Sequence, residues 1–214
     1  MSRGAGRSPA RGADKRPPRV NDFIRAGGGG RRTHRMGDLT MTVVVVYASR
    51  YGSTQGIAEF IAGRLREHGL DAEARSVEAN PDPGAFDAVV LGSAVYLGRW
   101  MKEAAEFGER HRAALASRPV WLFSSGPLTL KEGVTVDDPD VVPTDIAALR
   151  EAIHPRDHRV FFGALDPGKL GFAQRAMRHL PAARAVLPEG DFRDWDAIGA
   201  WADDIASGLR ASGS

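Results

Sequence analysis

Three clusters of small and hydroxyl-bearing residues each follow an apolar run. They are Ser49-Arg50-Tyr51-Gly52-Ser53-Thr54, Ser93-Ala94-Val95-Tyr96-Leu97-Gly98 and Ser124-Ser125-Gly126-Pro127-Leu128. Behind the first a helical pattern begins at once, so hydroxyls and backbone N–H groups converge on a helix N-terminus. Free amides there, reinforced by the helix dipole, favour a phosphate dianion, and Gly52 permits a tight turn or close backbone approach. A plainer reading competes: Ser53 or Thr54 could simply cap the helix. In the second cluster, small residues let the backbone approach a planar ring on which Tyr96 or Trp100 could stack, with Tyr96 the better candidate. Trp100 reads equally well as a core residue of the following helix. The third cluster could hydrogen-bond the edge of a heteroaromatic ring.

The first cluster lacks the G-x-x-x-x-G-K-[ST] pattern of a Walker-type triphosphatase and the G-x-G-x-x-G of the usual dinucleotide fold. A phospho-acceptor receiver domain would need clustered acids after the first strand and an Asp after the third. Ala48-Ser49 and Gly92-Ser93 stand there instead.

The elements that must position these clusters alternate between strand and helix. Residues 42–47 are expected as a buried strand, and Thr54 to Glu67 as an amphipathic helix with Ile57, Ala58, Phe60, Ile61 and Leu65 on its inner face. A weakly alternating edge strand follows over Asp71 to Val77. A buried strand is expected over Phe86 to Leu91, a helix over Arg99 to Ala116 and a fourth strand over Pro119 to Phe123. A short helix over Thr144 to Ile153, a fifth strand over Val160 to Leu165, a basic helix over Leu170 to Leu180 and a last helix over Asp194 to Leu209 complete the pattern. Such alternation implies a five-stranded parallel sheet with helices on both faces. The doubly wound order 2-1-3-4-5 places a ligand at the carboxyl ends of the strands, beside the switch point between strands one and three.

The charge is divided. Residues 1–40 hold 10 Lys/Arg against 3 Asp/Glu, whereas residues 41–214 hold 19 against 24. The Arg/Gly/Pro-rich segment 1–40 has almost no apolar content to offset its ordering entropy and is expected to be disordered. It carries no apolar core of a secretory signal. A start at Met36 or Met41 is the plainer expectation, with an anion-binding arm or a transit peptide as alternatives. The folded domain is expected over 41–214. The sequence has no cysteine, which excludes disulfides, thiolate nucleophiles and Cys-ligated metal, and no apolar run reaches the roughly 18 residues of a membrane span. A reducing cytoplasm is the expected setting. His154 and His158 are four apart, but Pro155 breaks a helical pair; both are expected at the surface, and no metal site is expected.

These residues resemble the flavodoxin superfamily, and more closely its menaquinone-dependent protoporphyrinogen dehydrogenase family. The resemblance runs from Met41 to about Leu209. It rests on the three clusters with their strands, on Phe162-Gly163-Ala164-Leu165 and on Asp191-Phe192-Arg193-Asp194-Trp195, the last two setting this family apart from plain flavodoxins. It implies FMN, with the phosphate on Ser49 to Thr54 and the isoalloxazine between Ser93–Gly98 and Ser124–Leu128. It further implies flavin-mediated oxidation of protoporphyrinogen IX with a quinone as acceptor.

Two departures stand out. The third cluster offers only Leu128 as a sizeable side chain, which leaves one flavin face open to substrate. The stretch Lys131 to Pro143 is acidic where the porphyrin enzymes carry a longer basic insertion, and porphyrin propionates pair with Arg or Lys. The basic helix (Lys169, Arg175, Arg178, His179) is a candidate for those charges or for a membrane surface holding quinone; a solvated face is its plainer reading. The expected function is an FMN-dependent oxidoreductase acting on a small redox substrate, with the flavin carrying the chemistry and no catalytic side chain named. The alternatives are an electron carrier docking on protein partners through an acidic surface, and a binding module without flavin. Nucleic acid is not the expected partner.

Overall fold

The computed structural model describes residues 40–128, 130, 132–136, 138, 141–166, 168 and 189–212. The segment 1–39 and the expected basic helix lie outside them.

Four consecutive valines begin the sheet. In β1 (Thr42–Ala48), Val43 to Val46 are all fully buried, because helices cover both faces. Val43 and Val45 pack under α1 (Ser53–Glu67) and the last helix, while Val44 and Val46 face the opposite core. β2 (Asp71–Ser76) pairs parallel to one edge of β1, and β3 (Ala88–Tyr96) parallel to the other. β5 (Val120–Ser125) and β6 (Asp157–Phe161) continue the sheet. The resulting parallel path β2-β1-β3-β5-β6 is the expected order, with β5 and β6 as its fourth and fifth strands.

Several boundaries differ from expectation, each for a local reason. β3 does not stop at Leu91. It runs through the first four residues of the second cluster, to Tyr96, and turns back into the two-residue antiparallel strand β4 (Arg99–Trp100). Leu97 and Gly98 at that turn both have positive φ, 52° and 74°, the geometry of a type I′ hairpin. Arg99 and Trp100 therefore belong to a strand, not to a helix. The expected helix behind them is also divided, into α2 (Lys102–Arg110) and α3 (Arg112–Ala116), at His111, whose ring lies 4.5 Å from that of Phe107.

After β5, a 3₁₀ turn over Thr144–Ile146 leads into α4 (Ala147–Ile153). β6 starts earlier than expected, at Asp157. Residues Ala164–Leu165, expected as its end, form β7 instead, a separate antiparallel pair with β8 (Gly190–Asp191). α5 (Trp195–Ser212) closes the chain on the α1 face. Its start is capped by Asp194, whose carboxylate accepts the Ala197 N–H at 3.0 Å.

Candidate functional site

The register of the sheet brings the three clusters to one edge. Ala48 lies opposite Ser93, Ser93 opposite Ser124, and Ser124 opposite Val160, so the chain leaves β1, β3, β5 and β6 at nearly one level. Gly163, just beyond β6, joins them. A Cβ there would stand 3.6 Å from the Gly126 carbonyl, the Leu128 side chain and Ser53 Oγ alike. The second and third clusters are equally close: a Cβ on Gly126 would come 2.8 Å from Val95 Cβ. Backbone N–H groups of Gly126 and Gly163 donate to Phe161 and Pro127 carbonyls, at 3.0 and 3.2 Å, and fix this junction.

At the first cluster, Gly52 takes the left-handed conformation (φ 86°), and no side chain caps α1. The serine and threonine hydroxyls divide their roles. Ser49 Oγ accepts the Gly52 N–H at 3.1 Å, and Ser53 Oγ accepts the Ala164 N–H at 2.9 Å. The Thr54 hydroxyl is fully buried and has no hydrogen-bond partner. Ser53 and Thr54 could have capped the helix; neither does. Arg50 and Tyr51 turn toward the second cluster, with the guanidinium 5.6 Å from the Tyr96 ring centre and the Tyr51 ring edge-on to Tyr96 at 6.4 Å. Partial desolvation, with Tyr51 adding to it and Arg50 opposing, pushes the Tyr96 phenol up from its ordinary value although the side chain stays exposed.

In the second cluster, Ser93 and Ala94 are buried strand residues, and Ser93 Oγ donates to the Ala94 carbonyl while accepting the Met101 N–H. Its hydroxyl thus fastens the hairpin. Val95 is half-buried, and Tyr96, Leu97 and Gly98 are exposed. Trp100 is core: it is 4% exposed, and its indole N–H donates to Ser124 Oγ at 2.8 Å. In the third cluster, Ser124 and Ser125 are buried in β5, while Gly126, Pro127 and Leu128 form the half-buried rim.

One partner of this region was not anticipated. His158, expected at the surface, points from β6 under Trp100 and shares a 2.9 Å hydrogen bond with Ser124 Oγ through Nε2. Its Nδ1 is buried without a partner. Burial, with the nearby Arg150 charge adding to it and Asp157 opposing, lowers its pKa to about 4. His158 is therefore neutral at pH 7. The available sequence signal is its spacing: it stands two residues before buried Val160, on the same face of the strand. His154 is exposed as expected.

Arg193 was noted within a motif but given no role. Its guanidinium donates to both carboxylate oxygens of Asp191, at 2.8 and 2.6 Å, and to the Ser53 carbonyl at 3.3 Å, and lies over the Trp195 ring. A cleft of about 350 Å³ opens here, with Tyr51, Gly52 and Ser53 on one side and Asp166, Asp191 and Arg193 on the other. No group of His, Asp and Glu able to hold a metal occurs among the described residues, and no described helix is long and apolar enough to cross a membrane.

A doubly wound parallel sheet, with an uncapped helix N-terminus and loops converging at its switch point, places the chain among the open α/β folds whose ligands bind at the carboxyl ends of the strands. The sequence matches the family described as Flavodoxin domain over residues 44–183, and the chain belongs to that family, whose membership implies a flavin. It is 29% identical over 86 residues to the protoporphyrinogen IX dehydrogenase [quinone] of Escherichia coli strain K12, covering 39% of this chain and 48% of that protein. The chain thus spans about half the length of the curated relatives that it matches. The fold is similar to a flavodoxin from the domain Archaea (TM-score 0.51, 15% identity, 79% of this chain and 99% of that one). It is also similar to the rubredoxin oxygen:oxidoreductase of Desulfovibrio gigas (TM-score 0.51, 16% identity, 79% of this chain and 36% of that one).

Proposed function

We propose that this chain binds FMN and works as an FMN-dependent oxidoreductase. The observation that carries the reading is the Thr54 hydroxyl, fully buried and without a partner in the first turn of a helix that no side chain caps. An unpaired buried hydroxyl beside free amides is unfavourable unless a ligand pairs them, and a phosphate offers three acceptor oxygens. In this reading Ser49, Arg50, Tyr51, Gly52, Ser53 and Thr54 hold the phosphate. Ser93, Ala94, Val95, Tyr96 and Gly98 flank the isoalloxazine on one side, and Ser124, Ser125, Gly126, Pro127 and Leu128 on the other.

FMN, when bound, supplies the hydride and electron-transfer chemistry. The chain's part is to orient and shield. Val95 and Gly126 lie so close that a Cβ on Gly126 would stand 2.8 Å from Val95 Cβ, which holds the second and third clusters side by side. Tyr96 offers an exposed aromatic surface on the second cluster, and Leu128 is the sizeable side chain on the third, which leaves one ring face accessible to a substrate. The substrate we propose is a reduced tetrapyrrole of the protoporphyrinogen type. It would give up two hydrogens for each quinone reduced to the quinol, so that the six lost on full oxidation to the porphyrin are taken up by three quinones. The partial similarity to a protoporphyrinogen IX dehydrogenase supports this assignment.

Spectroscopy comes first: the purified chain should show a flavin absorption spectrum, release FMN on heating and take FMN up again. A colourless protein that does not quench added FMN overturns the reading. Protoporphyrinogen oxidation, measured with a soluble quinone, then tests the substrate. Oxidation no faster than without protein, from a chain that holds FMN, favours a carrier that docks on protein partners. The fully exposed Leu97 at the hairpin tip beside Tyr96 is the feature suited to that alternative.

A further inference from the structure

The antiparallel pair β7–β8 and the residues behind it grip the helix proposed to hold the phosphate, chiefly at Ser53. Ser53, the first residue of α1, receives the Ala164 N–H on its side-chain oxygen and the Arg193 guanidinium on its backbone carbonyl. The guanidinium is itself immobilised. Nε and one terminal nitrogen bind both oxygens of Asp191, the plane lies over Trp195 at 4.4 Å, and the side chain is only 15% exposed. It packs so closely on the first turn of α1 that a Cβ on Gly56 would stand 2.7 Å from Nη1. Gly56 is thus a helical glycine whose missing side chain makes room for this arginine.

We propose that Arg193 is a positioning residue for phosphate recognition. Clamped by Asp191 and Trp195, it pins the first turn of α1 so that the free N–H groups and the Thr54 hydroxyl stay aimed at the phosphate monoester of the flavin. The inference rests on the FMN reading above. Two geometric facts favour positioning over a wholly structural role. Arg193 bonds Ser53, the residue before the unpartnered Thr54, packs over Gly56, two residues after it, and lines the cleft that opens beside them. A guanidinium fork held on both sides keeps its direction, which a lysine at the same place would not.

The test compares FMN with riboflavin, which lacks the phosphate, by quenching of flavin fluorescence on the apoprotein. Arg193→Gln removes the clamp. Gly56→Ala keeps the arginine but displaces it, while replacing a helical glycine with a better helix former, so apoprotein stability should hold or rise. Both variants are expected to weaken FMN by about tenfold, the scale of one hydrogen bond to a charged group, with riboflavin affinity changed less than about threefold. Arg193→Lys should recover only part of the difference. An unchanged FMN-to-riboflavin ratio in Gly56→Ala and Arg193→Gln, or a parallel loss of both ligands, overturns the proposal. In either case wild-type protein still prefers FMN. Wild-type protein that binds neither flavin refutes the FMN reading itself, and the proposal with it.

Discussion

Replacing His158 by leucine should remove most of the acid sensitivity of the fold between pH 7 and 4. In the native protein the imidazole is largely buried under Trp100, bonded to Ser124 and close to the Arg150 charge, and its pKa falls from 6.5 to about 4. The unfolded chain binds a proton at this residue below about 6.5; the folded chain does not until about 4. Between those values the unfolded state carries more protons, so stability must fall as the pH falls. Across the whole window the loss comes to about 3 kcal/mol, or about 2–3 kcal/mol once solvent reaching part of the ring is allowed for. Below pH 4 the two states bind equally and His158 adds nothing more.

The carboxylates held below their ordinary value, Asp157, Asp191 and Asp203, act mostly at lower pH. Asp203, paired with Arg64 and His68, is held down to about 2, so its contribution begins to fall below about pH 5 and is lost chiefly between 3.8 and that value. Urea unfolding of wild type and His158→Leu at half-unit steps from pH 7.5 to 4 measures the difference directly. The variant is less stable at pH 7, because Ser124 loses a partner, but the two curves should converge or cross on acidification. A ¹³C-labelled imidazole should titrate near 4. A midpoint near 6.5, or parallel curves for the two proteins, refutes the argument.

Three further outcomes follow from single contacts. Thr54→Val keeps the shape of the side chain but removes an unpartnered buried hydroxyl, so thermal unfolding should find the apoprotein more stable, by about 1–3 kcal/mol, while FMN titration shows binding weaker by about 1–3 kcal/mol. Gly92→Ala places a Cβ 2.0 Å from the Phe123 ring in the middle of the sheet; chemical denaturation should show a loss of about 2–3 kcal/mol or a failure to fold. Trp100→Phe leaves part of the indole volume empty and loses the N–H bond to Ser124, which should cost about 2–3 kcal/mol in urea unfolding with FMN binding retained.

The order of the sheet was legible because β1, β3 and β5 are covered on both faces and therefore written almost wholly in apolar residues. The ends of these strands were not. Gly92, Ser93, Ala94, Ser124 and Ser125 look like loop residues by type, yet they continue the strands, because small side chains are what fit where Phe123 and Trp100 press on the sheet. β6 was placed too late for a different reason. It is an edge strand in which Asp157 pairs with Arg159 and His158 turns inward to Ser124, so its first half carries no apolar signal. The pairing of Ala164–Leu165 with Gly190–Asp191 is set by contacts across a long separation in sequence, and two residues leave no periodic trace. Of the candidate site, the first cluster was legible as an anion cradle from residue types alone. The grip of Arg193 on Ser53 depends on the fold bringing residue 193 to the start of α1, which no local pattern encodes.

Local costs gather at the cradle. α1 begins without a side-chain cap, an omission of about 0.5–2 kcal/mol, although hydroxyl residues adjoin its start and the chain does cap α5 with Asp194. The Thr54 hydroxyl is buried without a partner, at about 1–3 kcal/mol. Gly56 keeps a glycine in a helix, where alanine would be more favourable by about 0.5–1 kcal/mol, and Arg193 occupies the vacated space. Conflicts between local preference and the fold collect where function demands them. Here each concerns the first turn of the same helix, and the first two are relieved by one event, the arrival of an anion that accepts hydrogen bonds. Binding to the folded state alone stabilises it by mass action, so a ligand at 100 times its Kd adds about 2.7 kcal/mol, comparable to the first two terms combined. The apoprotein should accordingly melt well below the flavin-loaded protein, and Thr54→Val should narrow that gap from both sides.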